Sequence, residues 1–113
     1  MEPKILYRSA IEQVPIDDFE LPLGCTEVLV LGINLMLLTW GTPVYHCEMA
    51  PSLLADVPAS LMLESARRAR IGLIDLHTVL PWDVESVQRT GRLVIVHEVS
   101  RTVGVGAEIA VEI

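Results

Sequence analysis

The chain has 113 residues; 51% are apolar, 20% are charged, and the formal net charge is −7. That length carries one small domain, and the composition is too apolar for a disordered chain. The acidic balance argues against nucleic acid, whose phosphates would be repelled, and it suits a basic protein partner; the plain alternative is an acidic surface of no specific meaning. Cys25 and Cys47 are far apart and in no metal-ligand spacing. Both read as small buried hydrophobes in a reducing compartment, and nothing in the spacing supports a disulfide between them.

Met1-Glu2-Pro3-Lys4 is charged, so the start shows no secretory leader. Residues 1–26 sustain no hydrophobic period. Pro3, Pro15 and Pro22 punctuate them, and Asp17, Asp18 and Glu20 form a short acidic run. They read as an arm or linker lying over something else, with a domain over residues 27–113. Residues 28–40 are the greasiest stretch, too short to cross a bilayer and interrupted by Gly32 and Asn34. They read as buried strand: 28–31 is a short β-rich run that Gly32 breaks, and the uninterrupted apolar run 35–40 suits a parallel strand covered on both faces.

Thr42-Pro43 reads as a helix start, with Thr42 as N-cap and Pro43 at the first helical position. That helix is expected to stop before Pro51. Pro58 marks a further break. A second helix is expected over 60–70, capped by Ser60, with Arg67, Arg68 and Arg70 complementing its dipole. Residues 71–76 form the next strand. Asp83 caps a short helix that Thr90-Gly91 ends, with Trp82 placed to pack on Val87. Residues 93–96 form a third strand, and 104–113 begin a last helix. The order strand, helix, strand, helix, strand, helix predicts a three-layer α/β fold with a mainly parallel sheet and at least one bare edge.

Candidate chemistry is sparse. His46 and Cys47 are helix neighbours and point about 100° apart, so they form no pair by position. His77 and His97 fall at the C-terminal ends of predicted parallel strands, the edge where open α/β sheets bind ligands. His97-Glu98 beside Asp75 would make a polar cluster there; the alternative is hydrogen-bonded structural histidines. Gly104-Val105-Gly106 precedes the last helix, but Ile109 stands where a dinucleotide fingerprint needs its third glycine. The two glycines read instead as a tight turn and close packing. No nucleophile elbow, phosphate loop or paired-carboxylate signature is present.

Several stretches, in order along the chain, resemble the β subunits of 2-oxo acid dehydrogenases. These are Glu2-Pro3-Lys4-Ile5-Leu6-Tyr7-Arg8, Leu21-Pro22-Leu23-Gly24, Leu38-Thr39-Trp40-Gly41-Thr42 and Ile74-Asp75-Leu76-His77-Thr78-Val79-Leu80-Pro81-Trp82-Asp83. Thr90-Gly91-Arg92-Leu93-Val94-Ile95-Val96-His97-Glu98 and Gly106-Ala107-Glu108-Ile109 complete the set. The first segment and Pro81-Trp82-Asp83 are closer to the branched-chain enzyme than to pyruvate dehydrogenase, which is the alternative.

The resemblance implies the interdomain linker (1–26) and the first part of a transketolase-like C-terminal domain (27–113), truncated, as from a shortened product or an incomplete gene. It implies an α2β2 parent that uses thiamine diphosphate and magnesium to decarboxylate a branched-chain 2-oxo acid and passes the acyl group to lipoyl. This portion would serve contacts to the α subunit, a second β subunit and the lipoyl acyltransferase core, with no membrane or nucleic-acid partner. No catalytic, cofactor-binding or metal-binding residue of the family maps onto it. The implied location is the mitochondrial matrix in a eukaryote and the cytoplasm otherwise. Departures are Ile33 where the family has an acidic residue, a helix after Asp83 about one turn short, Val103-Gly104 in place of paired glycines, and the absence of the family's final strands. A stand-alone interaction module and a non-functional remnant are the other readings.

Overall fold

A computed structural model describes residues 3–9, 11 and 13–113, and of Thr90 the backbone alone. Met1 and Glu2, which open the linker segment, lie outside the described residues. Four strands form one sheet: β1 (Glu27–Val30), β2 (Leu35–Thr39), β3 (Ile71–Asp75) and β4 (Leu93–Val96), in spatial order β1-β3-β2-β4. β2 lies parallel to both β3 and β4, and β1 runs antiparallel to β3. The central strands β2 and β3 are the uninterrupted apolar runs, because helices cover both their faces.

Alternation divides the core. Met36, Leu38, Ile74 and Leu76 point to one face, where they bury Val87 and Ile109. Leu37 and Leu73 point to the other and meet Cys47. The first face carries α3 (Val84–Val87) and α4 (Val105–Glu112), and the second carries α1 (Pro43–Ala55). This is the expected three-layer arrangement.

The β-rich run 28–31 and the apolar run 35–40, divided at Gly32, form two separate strands. Between them Gly32 passes against the backbone of β3, so close that a Cβ there would lie 2.0 Å from the Gly72 nitrogen. Only paired glycines permit that approach. It sends β1 to the far side of β3, so the sheet gains a fourth, antiparallel strand.

Three helix boundaries differ from expectation. α1 continues through Pro51 to Ala55. A proline inside a helix costs about 3 kcal/mol locally. Packing outweighs it here, because Val44, Cys47 and Ala50 seat the helix on the sheet before the break and Leu54 is half-buried beyond it. Thr42 occupies the N-cap position but in a helical conformation, and its hydroxyl makes no capping bond. The expected 60–70 helix reduces to a 3₁₀ turn at Ala59–Leu61, containing Ser60, and a single turn, α2 (Glu64–Arg67). Leu61 and Leu63 stay exposed, and a short helix without a buried face does not hold.

The arm departs from the compact body. The radius of gyration is 15.7 Å, against about 13 Å for a compact chain of this length. Its ends come close to the carboxyl edge of the sheet: a Cβ on Gly41 would lie 3.6 Å from the Pro3 Cγ, and one on Gly24 would lie 3.6 Å from the Pro81 Cγ. Between them Ile11, Val14, Ile16, Phe19, Leu21 and Leu23 are all more than half exposed.

Candidate functional site at the carboxyl edge of the sheet

Parallel strands β2, β3 and β4 end on the same edge, and antiparallel β1 begins there. Their last residues therefore assemble Thr39-Trp40, Asp75-Leu76-His77 and Val96-His97 beside Glu27. This is the edge that sequence reasoning selected, but it holds two separate groupings.

The first grouping is a histidine between two carboxylates. Glu27 and Asp75 face each other across the β1–β3 pair. Like charges in that position repel. His77 lies between them, its Nε2 3.3 Å from the Glu27 Oε2 and 3.6 Å from the Asp75 Oδ2. Burial pushes the Asp75 carboxyl above its ordinary range; His77 pulls it back, while Glu27 and Glu48 push it further up.

The second grouping is packed and structural. The His97 ring stacks on Trp40 with centroids 5.5 Å apart and planes 20° from parallel. It also presses on the start of α4, where a Cβ on Gly106 would lie 2.5 Å from His97 Nε2. Both glycines of Gly104-Val105-Gly106 thus serve a turn, Gly104 having φ 135°, and close packing, as expected. His97 Nδ1 is buried without a partner. The expected cluster of His97 with Asp75 does not form, because β2 lies between β3 and β4. Thr39 fills the gap by donating from Oγ1 to the Val96 carbonyl, 2.8 Å away.

His46 and the two cysteines lie in neither grouping. His46 Nδ1 lies 3.3 Å from the Thr42 carbonyl one turn earlier, apart from Cys47. Cys47 is buried; burial raises its thiol, and a hydrogen bond with Thr39 opposes this. Cys25 is exposed, contrary to expectation. It sits at the foot of the arm, where no helix covers the chain.

Sequence reasoning missed a tether at this edge. Asp83 accepts from the Ser86 amide at 3.1 Å, the expected cap, and also from the Thr26 hydroxyl at 3.1 Å. Burial pushes its carboxyl up, but these hydrogen bonds outweigh that and hold it below its ordinary range. The Thr26 bond fastens the start of β1 to α3, and no local pattern announces it.

Thiamine diphosphate and magnesium do not fit the groups at this edge. The His97 ring fills the space over Gly106, so a phosphate cannot reach the α4 amides there. The carboxylates of Glu27, Asp75 and Glu48 would repel a diphosphate. Among the described residues no group of three or more His, Cys, Asp or Glu side chains is placed to hold a metal.

Comparison with known proteins matches residues 24–113 to the family "Transketolase, C-terminal domain". The 2-oxoisovalerate dehydrogenase subunit beta of Chaetomium thermophilum is 46% identical over 117 residues, covering all of this chain and 23% of that protein. The protein of the same name from Dictyostelium discoideum is 40% identical, over 99% of this chain and 29% of its own length. The pyruvate dehydrogenase E1 component subunit beta of Acholeplasma laidlawii is more distant, at 30% identity over 96% of this chain and 32% of its own. The chain thus spans between about a quarter and a third of these relatives. It belongs to the transketolase C-terminal domain family, and its sequence lies nearer the branched-chain 2-oxo acid dehydrogenase β subunits than the pyruvate dehydrogenase ones.

Proposed function

We propose that this chain is the assembly and docking portion of a branched-chain 2-oxo acid dehydrogenase β subunit and performs no catalytic step itself. The observation that carries this reading is the match along the whole chain to 2-oxoisovalerate dehydrogenase β subunits. The structure supports it in two ways. Thr39, Glu27, Asp75, His77 and Asp83 at the carboxyl edge are engaged in strand-end and helix-cap contacts. Its exposed apolar side chains run along the arm and along α1, where Tyr45, Met49 and Leu53 form one stripe. Exposed apolar area of that kind marks contact surface.

In this reading residues 1–26 are the linker and 27–113 are part of the transketolase-like domain. The partners are the α subunit, a second β subunit and the lipoyl acyltransferase core. Thiamine diphosphate and magnesium belong to the assembled parent, at residues outside this chain. The location is the mitochondrial matrix, following the relatives' names.

The test supplies the purified chain with α subunit, thiamine diphosphate and magnesium, and follows decarboxylation of 3-methyl-2-oxobutanoate. No turnover is expected, and clear turnover would overturn the non-catalytic role. Capture on the acyltransferase core at low and high salt tests docking; absence of capture at low salt would remove it.

A further inference from the structure

We propose that His77 is a proton-operated latch on the root of the arm: charged, it ties the start of β1 to the end of β3, and neutral, it leaves two facing carboxylates that push the root away. The proposal stands apart from the docking role above and rests on contacts made within the chain.

β1 is short, and its pairing with β3 is irregular between Val28 and Val30. Its two ends are held differently. At the amino edge of the sheet the Ile33 and Asn34 amides both donate to the Arg70 carbonyl, and the Arg70 amide donates to Asn34 Oδ1. Gly32 passes against Gly72 beside them. None of these groups titrates. At the carboxyl edge, where the arm enters β1, both fastenings are ionisable. Thr26 donates to the Asp83 carboxylate 3.1 Å away. Glu27 lies opposite Asp75, and His77 Nε2 lies 3.3 Å from Glu27 Oε2 and 3.6 Å from Asp75 Oδ2.

Carboxylates facing each other across an antiparallel pair repel, and a cation between them turns that repulsion into attraction. Burial raises the Asp75 carboxyl, His77 lowers it, and Glu27 and Glu48, the latter reaching from α1, raise it further. Among the described residues, His77 is the one cation acting on Asp75. Histidine is the side chain whose charge changes between about pH 5 and 8. The latch is therefore closed while the imidazole keeps its proton and opens as pH rises. The Thr26–Asp83 bond responds in the opposite direction. Its carboxyl is held below the ordinary 3.8, so the bond is complete above 3.8 and is lost only in strong acid. The root is doubly fastened between those two limits, and rising pH loosens it while the amino-edge end of β1 stays fixed. Glu27 is exposed, which limits the change in the opening equilibrium to roughly threefold to tenfold.

The test attaches a nitroxide spin label to Cys25, the exposed thiol in the arm's root, in the 113-residue chain. Label mobility is followed from about pH 5 to 8 at low salt, with amide protection factors of Ile33 and Asn34 measured on the same samples. The ratio of mobile to immobile label is expected to rise roughly threefold to tenfold in a single-proton transition, with Ile33 and Asn34 unchanged. His77→Arg, always charged, should hold the root ordered throughout. His77→Gln, never charged, should leave it mobile throughout. Glu27→Gln, at an exposed position, should abolish the transition by removing the repulsion. Circular dichroism should be unchanged in all three. Absence of a transition in the parent overturns the proposal, as does a transition that survives His77→Gln. So does a parallel loss of protection at Ile33 and Asn34, which would mean that the whole sheet opens and not the root. Should His77→Gln lose its folded spectrum, Glu27→Gln decides alone, and a transition that survives it overturns the latch.

Discussion

Replacing Asp83 by Ala removes two hydrogen bonds from one carboxylate, to the Ser86 amide and to the Thr26 hydroxyl. Loss of an N-cap costs about 1 kcal/mol, in a range of roughly 0.5–2. A partly exposed hydrogen bond to a carboxylate adds about 1 kcal/mol more. The expected loss at neutral pH is therefore about 2 kcal/mol, read from urea denaturation with unchanged slope. The pH dependence gives a second check. The Asp83 carboxyl is held below its ordinary 3.8 in the folded chain. Above 3.8 both states are ionised and the full contribution is present; it is lost as pH falls through the lower, folded value. The deficit of Asp83→Ala should accordingly shrink in strong acid. Asp83→Asn, which still caps, should lose less than Ala. Combining Thr26→Val with Asp83→Ala should cost less than the two losses added, because the variants share one bond. A deficit equal at neutral and strongly acid pH, or strict additivity with Thr26→Val, would refute the tether.

Asp75 behaves in the opposite sense. Its carboxyl is raised in the folded chain, so its contribution is present below 3.8 and lost as pH rises through the folded value. Asp75→Asn should therefore gain stability relative to the parent between acid and neutral pH, and a flat difference across that range in denaturation series would contradict this. Gly106→Ala should cost about 1–3 kcal/mol by pushing the His97 ring off Trp40, seen as a lowered melting temperature together with altered tryptophan fluorescence. A thiol reagent added to the native chain should modify Cys25 quickly and Cys47 only on unfolding, because burial raises the Cys47 thiol; equal rates for both would contradict the packing of α1.

The parts of the fold legible in the sequence are those where one local signal agrees with the tertiary environment. β4 falls on residues 93–96 because an apolar run is bounded by Gly91-Arg92 and His97-Glu98. α3 begins at Asp83 because a carboxylate cap and an apolar neighbour coincide there. Legibility fails where packing decides. Pro51 is a correct stop signal that two seated halves of α1 override. The 60–70 segment has helix formers but no face to bury, so it collapses to single turns. The glycine crossing at Gly32 and Gly72 joins residues forty positions apart in sequence, and only that crossing reveals β1 as a separate antiparallel strand. At the carboxyl edge the histidine positions follow from the strand ends, but their partners follow from strand order, which places β2 between His77 and His97.

Strand order also changes what the net charge means. Taken over the whole chain, −7 suits a basic partner at any acidic point. In the fold the charges separate. Arg67, Arg68 and Arg70 lead into β3, and Arg89 and Arg92 lead into β4, so five of the eight basic residues gather at the amino edge of the sheet. Glu27, Asp75, Glu48 and Glu98 lie toward the carboxyl edge, from which the acidic arm also leaves. A basic partner is therefore favoured at the carboxyl edge over the other, where Arg68 is paired with Glu64, and the range of that preference is about one Debye length, roughly 8–10 Å at moderate salt. The strands run four or five residues from the amino to the carboxyl edge, about 13–17 Å, so the two fields are distinct on that scale. Docking by charge then selects an edge as well as a partner, and the surface open to the acyltransferase core in the proposed role is the carboxyl edge beside the arm, not the chain at large.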